Sequence, residues 1–143
     1  MTAKEYLRQA YRLDQRIDSH VAELENLRDL STRIQGSNFG ERVSGTRSTE
    51  ASYAGIVDKI VDMQRRINAE IDTLVDLKAE MDAAIEGVPD VDERLLLRYR
   101  YINNNAWDDI AKALHVSSRT VHRIHSSALR NFVVPEQGWH TLP

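Results

Sequence analysis

Cysteine is absent from the 143-residue sequence, which excludes disulfide bridges and thiolate metal sites. Proline and glycine are scarce, at three and six residues, so long uninterrupted helices are possible. No apolar run approaches the roughly 18–20 residues of a membrane span. The opening stretch, "MTAKEYLRQAYRLDQR", lacks the apolar core of a signal peptide. A cytoplasmic protein is the expectation. No glycine-rich phosphate loop is present, and the acidic residues fall at solvated helix positions, so the chain is not expected to be an enzyme.

Net positive charge is missing as well: the formal charge is −3. That total conceals an asymmetry. Residues 1–35 balance six basic against six acidic side chains, residues 51–86 carry four against eight, and residues 87–143 carry seven against six. Within 112–134 stand Lys112, Arg119, Arg123 and Arg130, three histidines and no acid. Binding to a polyanion follows local charge rather than the chain total, so an acidic balance does not exclude it.

Two long segments show helical periodicity. In the first, about 3–35, Tyr6, Ala10, Leu13, Ile17, His20, Leu24, Leu27, Ser31 and Ile34 alternate in steps of four and three, widened by Leu7, Val21 and Leu30. A polar residue on such a seam, like His20, acts as a register or pairing device. The second segment, about 50–86, repeats the rhythm at Val57, Ile60, Gln64, Ile67, Ile71, Leu74, Lys78, Met81 and Ile85. Ile56, Val61, Met63, Val75 and Leu77 broaden its face. Each helix would be roughly 50 Å long, and neither stripe is stable without a partner surface. An antiparallel hairpin, coiled-coil-like, is expected. Its wide second stripe points to a homodimer or higher homo-oligomer, or alternatively to packing on the chain's own C-terminal part. Between the helices, "GSNFGERVSGTRSTE" (36–50) reads as a loop that opens on a C-terminal glycine, Gly36, with Ser48 or Thr49 as the next cap.

Gly87 and Pro89 end the second helix. Asp90 followed by Glu93 reads as a capping box for a helix over about 91–102, with Leu95, Leu96, Tyr99 and Ile102 inward. "NNN" (103–105) turns the chain into a short helix, 106–114, with Trp107, Ile110, Ala111 and Leu114 inward. "HVS" (115–117) turns it again, and Ser117 caps a last helix over about 118–132, with Val121, Ile124, Ala128, Leu129 and Phe132 inward. The predicted architecture is all-α, a helical hairpin over 1–87 followed by a small helix-turn-helix domain over 88–134 and a tail over 135–143.

The spacing of the last two helices obeys the steric rules of a helix-turn-helix. Ala111 is small where the second helix crosses the first. Four positions later, His115 falls where the turn requires φ > 0, a region that histidine visits more readily than most non-glycine residues. Val116 follows it, and Val121 and Ile124 anchor inward. Ser118, Arg119, His122 and Arg123 are then outward near the helix N-terminus, the end that enters the major groove in such motifs. Arg119 and Arg123 are suited to guanine edges or phosphates, and Ser117, Ser118 and Thr120 to phosphate oxygens. Lys112 and Arg130 are better suited to the DNA backbone.

On the strength of "LLRYRY" and "DIAKALHVSSRTVHRIHSSALRNF", residues 95–132 resemble region 4 of sigma-70-type factors, the domain that reads the −35 promoter element. By position, that resemblance assigns DNA contacts to Ser118, Arg119, Thr120, His122 and Arg123. It also implies contact with RNA polymerase. Identity differs at several of these positions, so the target sequence does not carry over. There is no counterpart of the sigma region that melts promoters, and the hairpin stands in its place. That layout, with "WDDIA" and "SSRTVHRIHSSAL", resembles small phage and prophage regulators of the RinA and ArpU type. The resemblance implies a sequence-specific activator that acts on double-stranded DNA beside the host polymerase, in the cytoplasm of a bacterial host.

Two alternative readings exist. A phage small terminase subunit also joins a helix-turn-helix to oligomerising helices, and would bind viral DNA to start packaging, though such proteins commonly place the DNA-binding part first. A metal site at His115, His122 and His125 lacks the carboxylate spacing that would complete a motif. No metal or cofactor is expected.

Overall fold

A computed structural model describes residues 1–37 and 46–136; the side chains of residues 35–51 are outside that description. The described residues are helical, in the order α1 (Ala3–Ser37), α2 (Thr46–Glu86), α3 (Val91–Leu97), a π-helical turn (Arg98–Ile102), α4 (Trp107–Leu114) and α5 (Ser118–Asn131). No strand occurs among them. The all-α architecture expected from the sequence is what forms. Both long helices run into the expected loop, so Gly36 lies inside α1, and Ser48 and Thr49 lie inside α2. The remainder of that loop, 38–45, and the tail from residue 137, with Trp139, fall outside the described residues.

The chain divides into two compact units, Gln15–Asp72 on the one hand and Met1–Asp14 with Thr73–Pro143 on the other. In the first unit, α1 and α2 run antiparallel. Arg16 and His20 meet Glu70, while Arg28, further along α1, donates to Gln64, earlier in α2. Ile17, Leu24 and Ile67 are buried along this seam. His20 Nδ1 lies 2.6 Å from Glu70 Oε1, and Arg16 Nε lies 3.4 Å from Oε2. Here the expected seam of α2 is corrected. Ile71, placed inward by its three–four spacing, is 42% exposed, and Glu70 takes the seam position. A carboxylate wins that place because it gives the inward His20 and Arg16 a partner, and an unpaired polar seam residue costs more than an exposed isoleucine.

The second unit carries the larger core. The N-terminal turns of α1 contribute Tyr6, Leu7 and Ala10, and the end of α2 contributes Leu77, Met81 and Ile85. Val88, Leu96, Leu97, Tyr101, Ile110, Val121, Ala128 and Phe132 complete it. Leu77, not the seam-assigned Lys78, is the buried residue at that turn. At the end of α2, Leu77, Met81 and Ile85 are thus covered within the chain by the C-terminal helices, whereas Val75, expected on the same face, is 61% exposed. Each fully buried leucine or isoleucine stabilises this unit by about 1.5–3 kcal/mol. Tyr6 packs against Phe132 in a tilted pair with ring centroids 5.8 Å apart. Arg98 reaches Asp82 and Glu86, tying the π-helical turn to the last turn of α2.

Two expectations for α3 are corrected. The segment 91–102 is not one α-helix: Asn103 N–H donates to Arg98 O, a five-residue span, and Asn104 adopts a left-handed φ of 56°. Among the three consecutive leucines, Leu96 and Leu97 are buried and Leu95 is 37% exposed, while Tyr101 is buried ahead of Tyr99 and Ile102. Three adjacent residues cannot share a helix face, and periodicity alone does not say which two point in. The capping box is half formed. Asp90 Oδ1 accepts from the amides of Asp92 (2.8 Å) and Glu93 (3.4 Å), but Glu93 does not return the bond. Its side chain, 6% exposed, turns to α5, where Oε1 accepts from Ser127 Oγ and Oε2 from Asn131 Nδ2.

Candidate nucleic-acid interface

The geometry of the α4–α5 turn follows from the backbone of a single residue. His115 sits at φ 58°, ψ 43°, the left-handed conformation that its position demands. Its N–H donates to Lys112 O and the N–H of Val116 donates to Ala111 O, so two orphan carbonyls at the end of α4 are satisfied. Val116 packs against the core and fixes the exit direction. Ser117 then caps α5: its Oγ accepts from Thr120 N at 3.1 Å and donates to Thr120 Oγ1 at 2.9 Å. The amides of Ser118 and Arg119 precede the first intrahelical bond and have no intrahelical acceptor, which makes that end a favourable place for an anion. Lys112, Ser117 and Ser118 come together on an open groove that His115 and Asp108 also line.

Along α5, Val121, His125 and Ala128 are buried and Ile124 is half-buried on one side. Arg119, His122, Arg123 and Arg130 are exposed. At 100° per residue, Arg119, Arg123 and Arg130 fall within about 40° of one another around the axis, opposite the buried side. Arg130 is seven residues beyond Arg123, about 10 Å further along the helix. Thr120 is half-buried, and its hydroxyl receives the Ser117 hydrogen bond. The stripe therefore presents three guanidiniums and no carboxylate, an arrangement able to meet phosphate oxygens or guanine edges.

Behind this stripe is an aromatic cluster that the sequence pattern did not reveal. Trp107 contacts His122 (ring centroids 5.0 Å) and His125 (4.6 Å), and the guanidinium of Arg100 lies 4.4 Å from its centroid. His125, 9% exposed, bonds Tyr101 through Nε2 to the hydroxyl at 2.7 Å. Burial, with Lys4, His122 and Arg100 adding positive charge nearby, pushes the His125 imidazole down to about 4. It is neutral near pH 7, and burial holds the Tyr101 hydroxyl above its ordinary range. A histidine at an inward position escapes a search for apolar residues; the signal was its spacing, four residues from Val121 and three from Ala128.

An all-helical chain that ends in a helix-turn-helix with an acid-free basic stripe is the class defined by these features. The family described as "Protein of unknown function (DUF1492)" matches residues 37–132, more than half of the chain, and the protein belongs to that family. No curated protein and no solved structure matches it. No described helix is long and apolar enough to cross a membrane.

Proposed function

We propose that the chain is a sequence-specific DNA-binding regulator of transcription, with α5 as its reading helix. One observation carries the reading: the left-handed His115 turn delivers a capped helix whose exposed side holds Arg119, Arg123 and Arg130, with no acidic residue on α5. In this role Arg119 and Arg123 reach base edges in the major groove. Ser117, Ser118, Thr120 and the free amides bind phosphate, His122 lies beside Trp107 at the groove wall, and Lys112 and Arg130 hold the backbone. The resemblance of 95–132 to sigma region 4 and of the whole layout to RinA- and ArpU-type phage regulators supports an activator that works with host RNA polymerase. Exposed Val61 and Ile71 in the unit 15–72 support self-association through the long helices.

The test is selection of binding sites from a random duplex pool by the full-length protein at near-physiological salt. An enriched motif, spaced or palindromic for a dimer, is expected. Salt-sensitive binding with no enrichment would overturn sequence reading by α5.

A further inference from the structure

Within the larger unit lies a cleft of about 500 Å³, lined by side chains that are remote in sequence. The first turns of α1 supply Lys4 and Arg8, the π-helical turn supplies Arg100 and Tyr101, and Trp107 and His125 come from α4 and α5. Its volume falls in the range of small-ligand sites. No carboxylate is among its lining residues. Lys4 and Arg8 are exposed and, among the described residues, form no ion pair. Arg100 is preorganised: Nη1 donates to Asn105 O at 3.0 Å, and the guanidinium plane is held over Trp107. Neither contact neutralises its charge. The field of these cations is felt at the aromatic wall, where Arg100 and Arg8 act on Tyr101, and Lys4 and Arg100 on His125.

Three positive charges around one concavity, without a counter-charge, repel one another, and an oxyanion would relieve that repulsion. A fixed guanidinium with free N–H groups, beside a flexible ammonium and a second guanidinium, is a donor set matched to phosphate oxygens. We infer that this cleft is a phosphate-binding site whose ligands are Lys4 and Arg8 of α1 together with Arg100. The phosphate comes either from the backbone of a bound duplex, an arm that rests on the DNA reading proposed above, or from a free phosphate compound, an arm that does not.

The test uses the full chain with Trp139→Phe, so that Trp107 is the single indole, and a Lys4→Gln/Arg8→Gln variant of it. Both replaced side chains are exposed, and unchanged thermal unfolding checks the fold. In the first arm, sodium phosphate is titrated against Trp107 emission at constant ionic strength, with chloride as control. Free phosphate as the source predicts a saturable change, specific to phosphate, that weakens at least tenfold in the variant. In the second arm, affinity for unrelated duplexes is measured against salt. A duplex phosphate as the source predicts an equal loss on every sequence and a slope flatter by about two units, one for each charge removed. Either result supports the site. A parent protein that binds duplexes, with both arms unchanged in the variant, overturns the site and leaves the DNA reading standing. A parent that binds no duplex but shows the phosphate response, lost in the variant, does the reverse.

Discussion

Glu93 is the internal strut that fixes α5 to α3, and its removal should be costly. Its carboxylate is buried and accepts two hydrogen bonds from α5, from Ser127 Oγ and from Asn131 Nδ2 at 2.9 Å. Hydrogen bonds to a charged group contribute about 1.5–3 kcal/mol each, so Glu93→Ala loses about 3–6 kcal/mol of interaction. Part of this is offset because the carboxylate no longer has to be desolvated, which leaves a net destabilisation of about 3 kcal/mol. In thermal unfolding that is a fall of about 6–12 °C in Tm for a chain of this size. Glu93→Gln keeps one acceptor and turns an amide donor toward the other partner, so it should lose about half as much. Urea unfolding of Glu93→Ala, Ser127→Ala and the double variant isolates the pair, and a coupling of about 1 kcal/mol or more is expected. A loss under about 0.5 kcal/mol for Glu93→Ala, or strict additivity in the cycle, would refute the strut.

Other consequences follow from single residues. His115→Gly relieves a left-handed residue at an exposed position and should stabilise the protein by about 1 kcal/mol, read as a rise in the urea midpoint; a fall would show that the imidazole is needed there. His125 titrates at about 4 in the folded protein and near 6.5 unfolded, so between these values the unfolded chain binds more protons. Stability is full above pH 6.5 and is lost as pH falls toward 4, by up to about 3 kcal/mol, and His125→Phe should flatten that profile. An unchanged pH slope in His125→Phe would exclude this imidazole as the cause. Glu70→Ala leaves His20 and Arg16 without their partner on the seam and should destabilise the unit 15–72 by about 1–3 kcal/mol, seen as faster amide exchange there; equal exchange would contradict the pairing.

Much of this molecule is legible where chain geometry alone decides. The α1 seam of Tyr6, Ala10, Leu13, Ile17 and Leu24 is buried as its three–four spacing requires. The left-handed His115 is legible because Ala111, His115 and Val116 occupy fixed offsets in a turn with one steric solution. Legibility fails where tertiary partners choose between equivalent local options. Glu70 displaces Ile71 from the seam because His20 and Arg16, about fifty residues away, face it. Glu93 leaves its capping box for Ser127 and Asn131, and packing of α3 in the core leaves Leu95 exposed while Leu96 and Leu97 are buried. The exposed stripe of α5 was readable from its spacing against Val121 and Ile124. The cleft behind it was not, since Lys4 and Arg8 join Arg100 only through the packing of α1 on the C-terminal helices.

Sequence reading by the two N-terminal arginines of α5 is open to measurement. Its most direct test is the ratio of affinities for the selected duplex and a scrambled one, measured for the native protein and for Arg119→Ala, Arg123→Ala and Lys112→Ala. Each arginine variant should lose about 1–3 kcal/mol on the selected duplex alone, which lowers the ratio, while Lys112→Ala should weaken both duplexes equally and flatten the salt slope by about one unit. Equal losses on both duplexes for all three variants would contradict it and would reduce the stripe to a sequence-independent grip on phosphate.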